Sequence, residues 1–229
     1  MPPTHEASVA GEADPRVWRA FWNRQIRSKG ILHLAIRLLR KIYAQPTASH
    51  IARYCRSAAA IGTHRSDKPA ILEVGCGSAA ISRAVMDLVP AARVMGLDIA
   101  SEPFPLARRR LPDIWLAIAD ARALPIASCS FDLILSIGLV EHFSRETALD
   151  LVLDMKRVTR RGGVLALTVP SLESPMDWIR RLMGSRYPFG VEYPFTRDEF
   201  GKLLESAGLE RVETRVILSS RLLALGRKP

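Results

Sequence analysis

From residue 70 onward, short apolar runs alternate with amphipathic stretches of helical period, and Gly, Pro, Asp or Ser punctuate the joins. Ala70-Ile-Leu-Glu-Val74, Arg93-Val-Met-Gly-Leu-Asp98, Ile114-Trp-Leu-Ala-Ile-Ala119, the run opening at Phe131-Asp-Leu-Ile-Leu-Ser136 and Arg160 to Val169 read as five strands. Glu210 to Leu218 and Arg221 to Gly226 read as a closing pair joined at Ser219-Ser220. Strands and helices taking turns in this way predict an α/β domain, a mainly parallel sheet with helices on both faces.

Upstream the pattern is purely helical. Pro15 to Arg27 lines up Trp18, Phe21, Trp22 and Gln25. Ile31 to Tyr43 places Ile31, Leu34, Ala35, Leu38 and Ile42 on one stripe and His33, Arg37, Arg40 and Lys41 on another. Pro46 is expected to end that helix, and Ala48 to Ile61 to form the next, with Gly62 as its stop signal. The chain therefore divides into a disordered lead-in over 1–15, a helical extension over 16–66 that caps the site, and one doubly wound domain over 67–229. Within that domain Pro170 to Pro194 is long for a connection and rich in aromatics, among them Trp178, Tyr187 and Tyr193. It leaves the carboxyl end of a strand, where open α/β sheets bind ligands, so 170–194 is expected to be a substrate-side insertion.

The net charge of +10 changes the picture only in the extension. Between Arg16 and Ser66 stand eleven Lys and Arg and no Asp or Glu, which accounts for the whole excess. These helices can fold over a cleft with their basic face in water. They can also lie on an anionic membrane surface and deliver a lipid-soluble ligand, or meet nucleic-acid phosphates with Trp18, Trp22 and Tyr43 stacking on bases. Cys55, Cys76 and Cys129 lack C-x-x-C or Cys/His spacing, so neither a disulfide framework nor a metal site is expected, and a reducing cytoplasm fits. No run has the length of a membrane span.

Candidate chemistry starts after the first strand. Gly75 and Gly77 let the backbone turn tightly and approach a ligand, and the helix beginning near Ala79 offers unpaired N–H groups. Asp98 follows Gly75 by 23 residues, where a carboxylate can take both hydroxyls of a ribose. With Ala80 in last place the spacing also fits the dinucleotide form G-x-G-x-x-A, which leaves more than one nucleotide-like cofactor open.

The ordered set narrows the choice. Glu73-Val-Gly-Cys-Gly77, Gly96-Leu-Asp98, Asp120-Ala121 followed by Leu124-Pro125, and Phe131-Asp132 leading to Glu141-His142 resemble the class I S-adenosylmethionine-dependent methyltransferases, in the branch of quinone-biosynthesis and other small-molecule enzymes. The resemblance runs on through Arg160–Val169 and Phe195–Leu209, and so covers about residues 68–227. One departure is Ala79, where the family usually carries a third glycine.

The resemblance implies a Rossmann-like sheet of order 3-2-1-4-5-7-6 with the last strand antiparallel, and S-adenosylmethionine as cofactor. It implies that Gly75, Cys76 and Gly77 line the methionine end of the cofactor and that Glu73 organises its ammonium. Asp98 would take the ribose hydroxyls and Ile99 would pack on adenine. Asp120 and the Ala121 amide would meet the adenine edge, and the backbone of Ser136, Ile137 and Gly138 would approach the sulfonium.

The expected activity is methyl transfer to an O, N or C atom of a small or lipid-like organic acceptor, with Trp18, Trp22, Glu141, Trp178, Tyr187 and Tyr193 on the acceptor side. His142 stands where a general base would be needed, or where a locally bonded histidine would shape the cofactor site. Glu141 either meets the acceptor or caps the helix beginning near Ser144. Asp132 reads as structural, and Cys76 as a small packed residue. Ser136-Ile-Gly-Leu is not the Asn/Asp-Pro-Pro-Tyr of many adenine methyltransferases, and no Pro-Cys pair of the cytosine type is present, which counts against base methylation. RNA-directed transfer, an NAD(P)-dependent oxidoreductase and a non-catalytic cofactor-binding module stand as alternatives, and no oligomeric state is implied.

Overall fold

The computed structural model describes residues 14–27, 31–57, 68–89, 93–174, 192–218 and 220–229, with the backbone alone over 31–41. Two helices, α1 (Pro15–Arg27) and α2 (Ile31–Ser57), precede the sheet. There follow β1 (Ala70–Val74), α3 (Ala80–Met86), β2 (Arg93–Asp98), α4 (Phe104–Arg110), β3 (Trp115–Ile118) and β4 (Phe131–Ile137). A 3-10 turn (Val140–His142), α5 (Arg145–Val158), β5 (Thr159–Pro170), α6 (Arg197–Ser206), β6 (Glu210–Ile217) and β7 (Arg221–Arg227) complete the order.

The seven strands form one sheet of order β3-β2-β1-β4-β5-β7-β6, and β7 runs antiparallel to both neighbours. The chain enters at β1, winds outward to β3, then returns to place β4 on the other side of β1. That reversal leaves a crevice at the carboxyl ends of β1 and β4, because the crossovers on either side depart in opposite directions.

The apolar runs are explained by two cores. In β4, Leu133 and Leu135 enter one core while Ile134 enters the other, and in β5 Val164 and Ala166 oppose Leu165 and Leu167 in the same way. A period of two therefore puts successive apolar residues on opposite faces, both covered by helices. α5 and α6 cover one face with Leu151, Met155, Phe200 and Leu204. Ile51, Tyr54, Val85 and Ala107, from α2, α3 and α4, cover the other.

Pro46 does not end the second helix. α2 runs through it as one helix, and the residues from 58 to 67 lie outside the described part. Proline removes one helical N–H and costs about 3 kcal/mol in a helix interior. Beyond it Ala48, Ile51, Ala52, Tyr54 and Cys55 are buried. At about 1.5–3 kcal/mol for a large apolar side chain, Ile51 and Tyr54 alone outweigh the loss. Thr47 donates to the Tyr43 carbonyl at 2.7 Å in the same turn, and the Tyr54 hydroxyl donates to the Arg211 carbonyl at 2.6 Å. The back half of α2 thus packs into the core. Ile42, placed on the apolar stripe by its spacing, is exposed, and the other stripe residues lie outside the described side chains.

Asp132 accepts from the Ala70 amide at 2.8 Å and from Arg160 at 2.6 Å, which ties β4 to the starts of β1 and β5. Among the described residues no helix is long and apolar enough to cross a membrane.

Candidate active site

A cavity of about 430 Å³ opens at the carboxyl ends of the central strands. Its floor begins where β1 ends. Gly75 and Gly77 have φ of +71° and +47°, a left-handed backbone that a side chain would strain. Ala79 adopts the same region, φ +53°, although its methyl is fully buried. The third-glycine position therefore keeps its backbone shape with an alanine in it, at a strain of about 1–2 kcal/mol.

Asp98 ties this loop to the next strand. Its Oδ2 accepts from the Gly77 amide at 2.7 Å and its Oδ1 from the Ala100 amide at 2.9 Å, while the Cys76 amide donates to Leu97 at 2.9 Å. Burial pushes the Asp98 carboxyl up, and the amides of Ala100, Gly77 and Ile99 hold it back. Each carboxylate oxygen has a second lone pair, so hydroxyls in the cavity can still be accepted. Glu73 is more deeply set. Ser82 donates to its Oε2 from the amide at 3.2 Å and from the hydroxyl at 2.5 Å, and burial raises its pKa to about 7. Burial likewise pushes the Cys76 thiol far above its ordinary range, so it is a packed residue and not a nucleophile.

Along the wall stand Leu97, Ile99, Ala119, Asp120 and Ala121. Arg122 grips Asp120 with Nε and Nη2, at 2.6 Å for the shorter contact to Oδ2, and these bonds hold its carboxyl below the usual range. At the end of β4 the lining is Ile137, Gly138 and Leu139; Ser136 is not part of it, its side chain being fully buried inside the sheet.

The roof is α1. Trp18, Phe21, Trp22 and Gln25 all face the cavity, as their spacing along the helix indicated. Trp18 meets the His142 ring edge-on at 4.8 Å between centroids. Trp22 lies on the glycine loop so closely that a Cβ at Gly77 would fall 2.5 Å from its ring.

His142 and Glu141 sit in the 3-10 turn, both buried and both lining the cavity. Glu141 is not a helix cap, since Ser144 accepts from the Thr147 amide and starts α5 itself. Burial raises the Glu141 pKa to about 8 against the opposing charge of Arg221.

The insertion returns beside its origin. Ser171 bridges to Phe195, and the Tyr193 amide donates to the Glu141 carbonyl at 2.6 Å. Glu192 lines the cavity, but Tyr193 does not. Trp178 and Tyr187 lie outside the described residues. Tyr43, Thr47, Thr168 and Arg221 complete the lining without any sequence motif to announce them. The one signal was the position of Thr168 and Arg221 at strand ends on the cleft side of the sheet.

These residues fit a nucleoside with a charged amino-acid tail. The glycine loop admits close approach, Asp98 stands at a strand end for hydroxyls, Ile99 and Ala119 offer an apolar wall, and Glu73 offers a carboxyl to an ammonium.

Residues 71–163 match the model of a methyltransferase domain family. The chain is 31% identical over 189 residues to the phthiotriol/phenolphthiotriol dimycocerosates methyltransferase 1 of Mycobacterium ulcerans, covering 74% of this chain and 66% of the relative. It is 30% identical over 157 residues to the ubiquinone biosynthesis O-methyltransferase of Dinoroseobacter shibae, covering 63% and 61%. The curated relatives are matched over only 40% to 66% of their own length. In fold the chain is similar to the magnesium protoporphyrin IX methyltransferase of Synechocystis PCC 6803, solved with bound S-adenosylhomocysteine. The TM-score is 0.67 at 14% identity, over 94% of this chain and all of the other. With its sheet order, its glycine loop and these relatives, the chain belongs to the class I S-adenosylmethionine-dependent methyltransferases.

Proposed function

We propose that the protein transfers a methyl group from S-adenosylmethionine to an O, N or C atom of a small or lipid-like organic acceptor. The observation that carries this reading is the continuity of the cavity. The glycine loop and Asp98 at one end are joined, past Gly138, to a chamber lined by Glu141, His142, Thr168 and Arg221 at the other. Residues suited to a nucleoside and residues suited to a second molecule thus share one cavity.

When bound, the cofactor supplies an already activated methyl group, so the chain's residues have to position, desolvate and, for some acceptors, take a proton. Gly75, Cys76 and Gly77 would hold the methionine end with Glu73 facing its ammonium. Asp98 would accept the ribose hydroxyls, and Ile99, Asp120 and Ala121 would hold adenine. Ile137 and Gly138 would bring backbone near the reacting centre. Trp18 and Trp22 would exclude water from above and share the acceptor with Glu141. His142, fixed against Trp18, is placed to receive a proton from an acceptor hydroxyl or amine.

A lipid-like acceptor agrees with the basic segment 16–66, where α1 exposes Val17 and Ile26 beside Arg16, Arg19, Arg24 and Arg27, a combination suited to an anionic membrane surface. The cysteines are all free, with Cys55 and Cys76 buried, which suits a cytoplasmic setting. RNA-directed transfer, nicotinamide chemistry and a purely regulatory module are not favoured by the relatives.

The test is titration calorimetry with S-adenosylmethionine and S-adenosylhomocysteine, NADH as control and Asp98→Ala as reference. A screen of phenols, amines and acids with and without anionic vesicles would follow. Binding of the sulfur cofactors, lost in the variant, supports the reading; binding of NADH alone would overturn it.

A further inference from the structure

Beyond Gly138 the cavity ends in a polar chamber that cofactor recognition leaves unused. Arg221 enters it from the first position of β7, Thr168 from β5 and Glu141 from the 3-10 turn. Strand pairing explains the convergence. Arg221 faces Pro170 and Leu223 faces Thr168 across the antiparallel pair, so Arg221 and Thr168 stand diagonally on one face of the sheet. Gly138 leaves room between the guanidinium and the carboxyl: a Cβ built there would lie 3.3 Å from Arg221 Nη1 and 3.4 Å from Glu141 Oε1.

Among the side-chain atoms buried in this chamber without a hydrogen-bond partner in the described residues are Nη1 of Arg221, Oγ1 of Thr168 and Oε2 of Glu141. Thr168 and Glu141 are each only 2% exposed, so bulk water does not serve them. A lone orphan can be tolerated in a core, whereas an orphaned cationic N–H is among the costlier omissions in a folded protein. Orphans from three different elements converging on one cavity describe a binding site whose partner is a ligand.

The charges choose the ligand. Glu141 keeps its proton up to about pH 8, so near neutrality it is an uncharged neighbour that does not neutralise the guanidinium. Glu192 is the other acidic side chain lining the cavity at this end. A guanidinium fork beside a neutral hydroxyl matches two planar oxygens that share one negative charge.

We propose that Arg221 and Thr168 bind a carboxylate of the methyl acceptor, so that the substrates of this protein are organic acids. The inference rests on the methyl-transfer reading above and narrows it. The carboxylate is held next to Gly138, at the end of β4, and so lies beside the part of the cleft where the cofactor's reacting centre is proposed to lie.

Binding is measured in the presence of S-adenosylhomocysteine, by calorimetry and thermal shift, with benzoate, malonate and decanoate, each against its primary amide. At least one acid should bind about tenfold or more tightly than its amide, and Arg221→Gln should weaken that acid by about 10-fold to 100-fold, the worth of a charged hydrogen bond. Affinity for S-adenosylhomocysteine should be unchanged in the variant, which also shows that it is folded, and Thr168→Val should give a smaller loss. No preference of any acid over its amide, or an acid indifferent to Arg221→Gln, would overturn the proposal.

A second readout needs no acceptor. Without ligand, Arg221→Met should melt at the same or a higher temperature, because it removes a half-buried guanidinium whose Nη1 has no hydrogen-bond partner among the described residues. A drop of several degrees would mark Arg221 as a structural partner of Glu141 or Glu192 and overturn the proposal. Failure of the unaltered protein to bind S-adenosylhomocysteine would sink the methyl-transfer reading itself.

Discussion

Asp98 does two jobs with one carboxylate: its oxygens already hold the amides of Gly77 and Ala100, and the lone pairs left over face the cavity. Asp98→Ala should therefore do more than delete a ribose contact, because the glycine loop loses its anchor. Two charged hydrogen bonds at about 1.5–3 kcal/mol each predict at least a 100-fold loss of S-adenosylhomocysteine affinity, read by calorimetry. Gly75, Gly77 and Asp98 were legible as residues of the cleft because their spacing ties residue type to local backbone shape, and Glu73 through the family resemblance. Thr168 and Arg221 were not, because a strand pairing between distant segments brings them together. Of the three residues whose backbone was expected near the sulfonium, Ile137 and Gly138 line the cavity and Ser136 is buried just behind them. Glu141 lines the cavity, and its alternative role as a cap was excluded only by seeing Ser144 take it.

At the scale of elements, the strands and their alternation with helices followed from the apolar runs, while the strand order came from the family resemblance. Pro46 misled because local propensity argues from the backbone alone, while the buried side chains of Ile51 and Tyr54 hold the helix together across the break. Pro46→Ala should restore one helical N–H and stabilise the protein by about 1–3 kcal/mol, a rise of roughly 2–4 °C in melting midpoint for each kcal/mol. The returning arm of the insertion depends on Arg145. This side chain donates to the carbonyls of Tyr193 at 3.1 Å and Pro194 at 2.7 Å, and its guanidinium lies 3.5 Å from the centre of the Phe195 ring. Arg145→Ala should loosen the arm that carries Glu192 into the cavity, raising KM for the acceptor several-fold while cofactor affinity stays level. A matching loss in cofactor affinity would show instead that the whole cleft had shifted.

Over the whole molecule, the buried carboxyls of Glu73 and Glu141, with Asp98 shifted in the same direction, pull the response to pH one way. Glu73 and Glu141 have folded-state pKa values of about 7 and about 8, both above the ordinary 4.5, with burial as the main cause. Below pH 4.5 they are protonated folded or unfolded and oppose nothing. As pH rises through that range the unfolded chain ionises first, so folded stability declines until the folded groups ionise too. Melting temperature should fall between about pH 5 and 8, and Glu141→Gln should flatten the decline and melt higher at the alkaline end. Cofactor binding should reverse part of this, because an ammonium beside Glu73 favours its ionised form and expels a proton. Calorimetry in two buffers of different ionisation enthalpy would show that release, and its absence would place the ammonium elsewhere. The +10 charge, legible from composition, says where the basic surface is but not what meets it. The indole of Trp22 rests on Gly77 and that of Trp18 on His142, so α1 lies over the path by which a nucleoside would enter or leave. Exchange of spent for fresh cofactor then requires the helix to lift, and protein purified from cells should carry S-adenosylhomocysteine through dialysis, whereas a chain shortened to begin at Ile31, which loses α1 and keeps α2 with its buried back half, would come off the column empty.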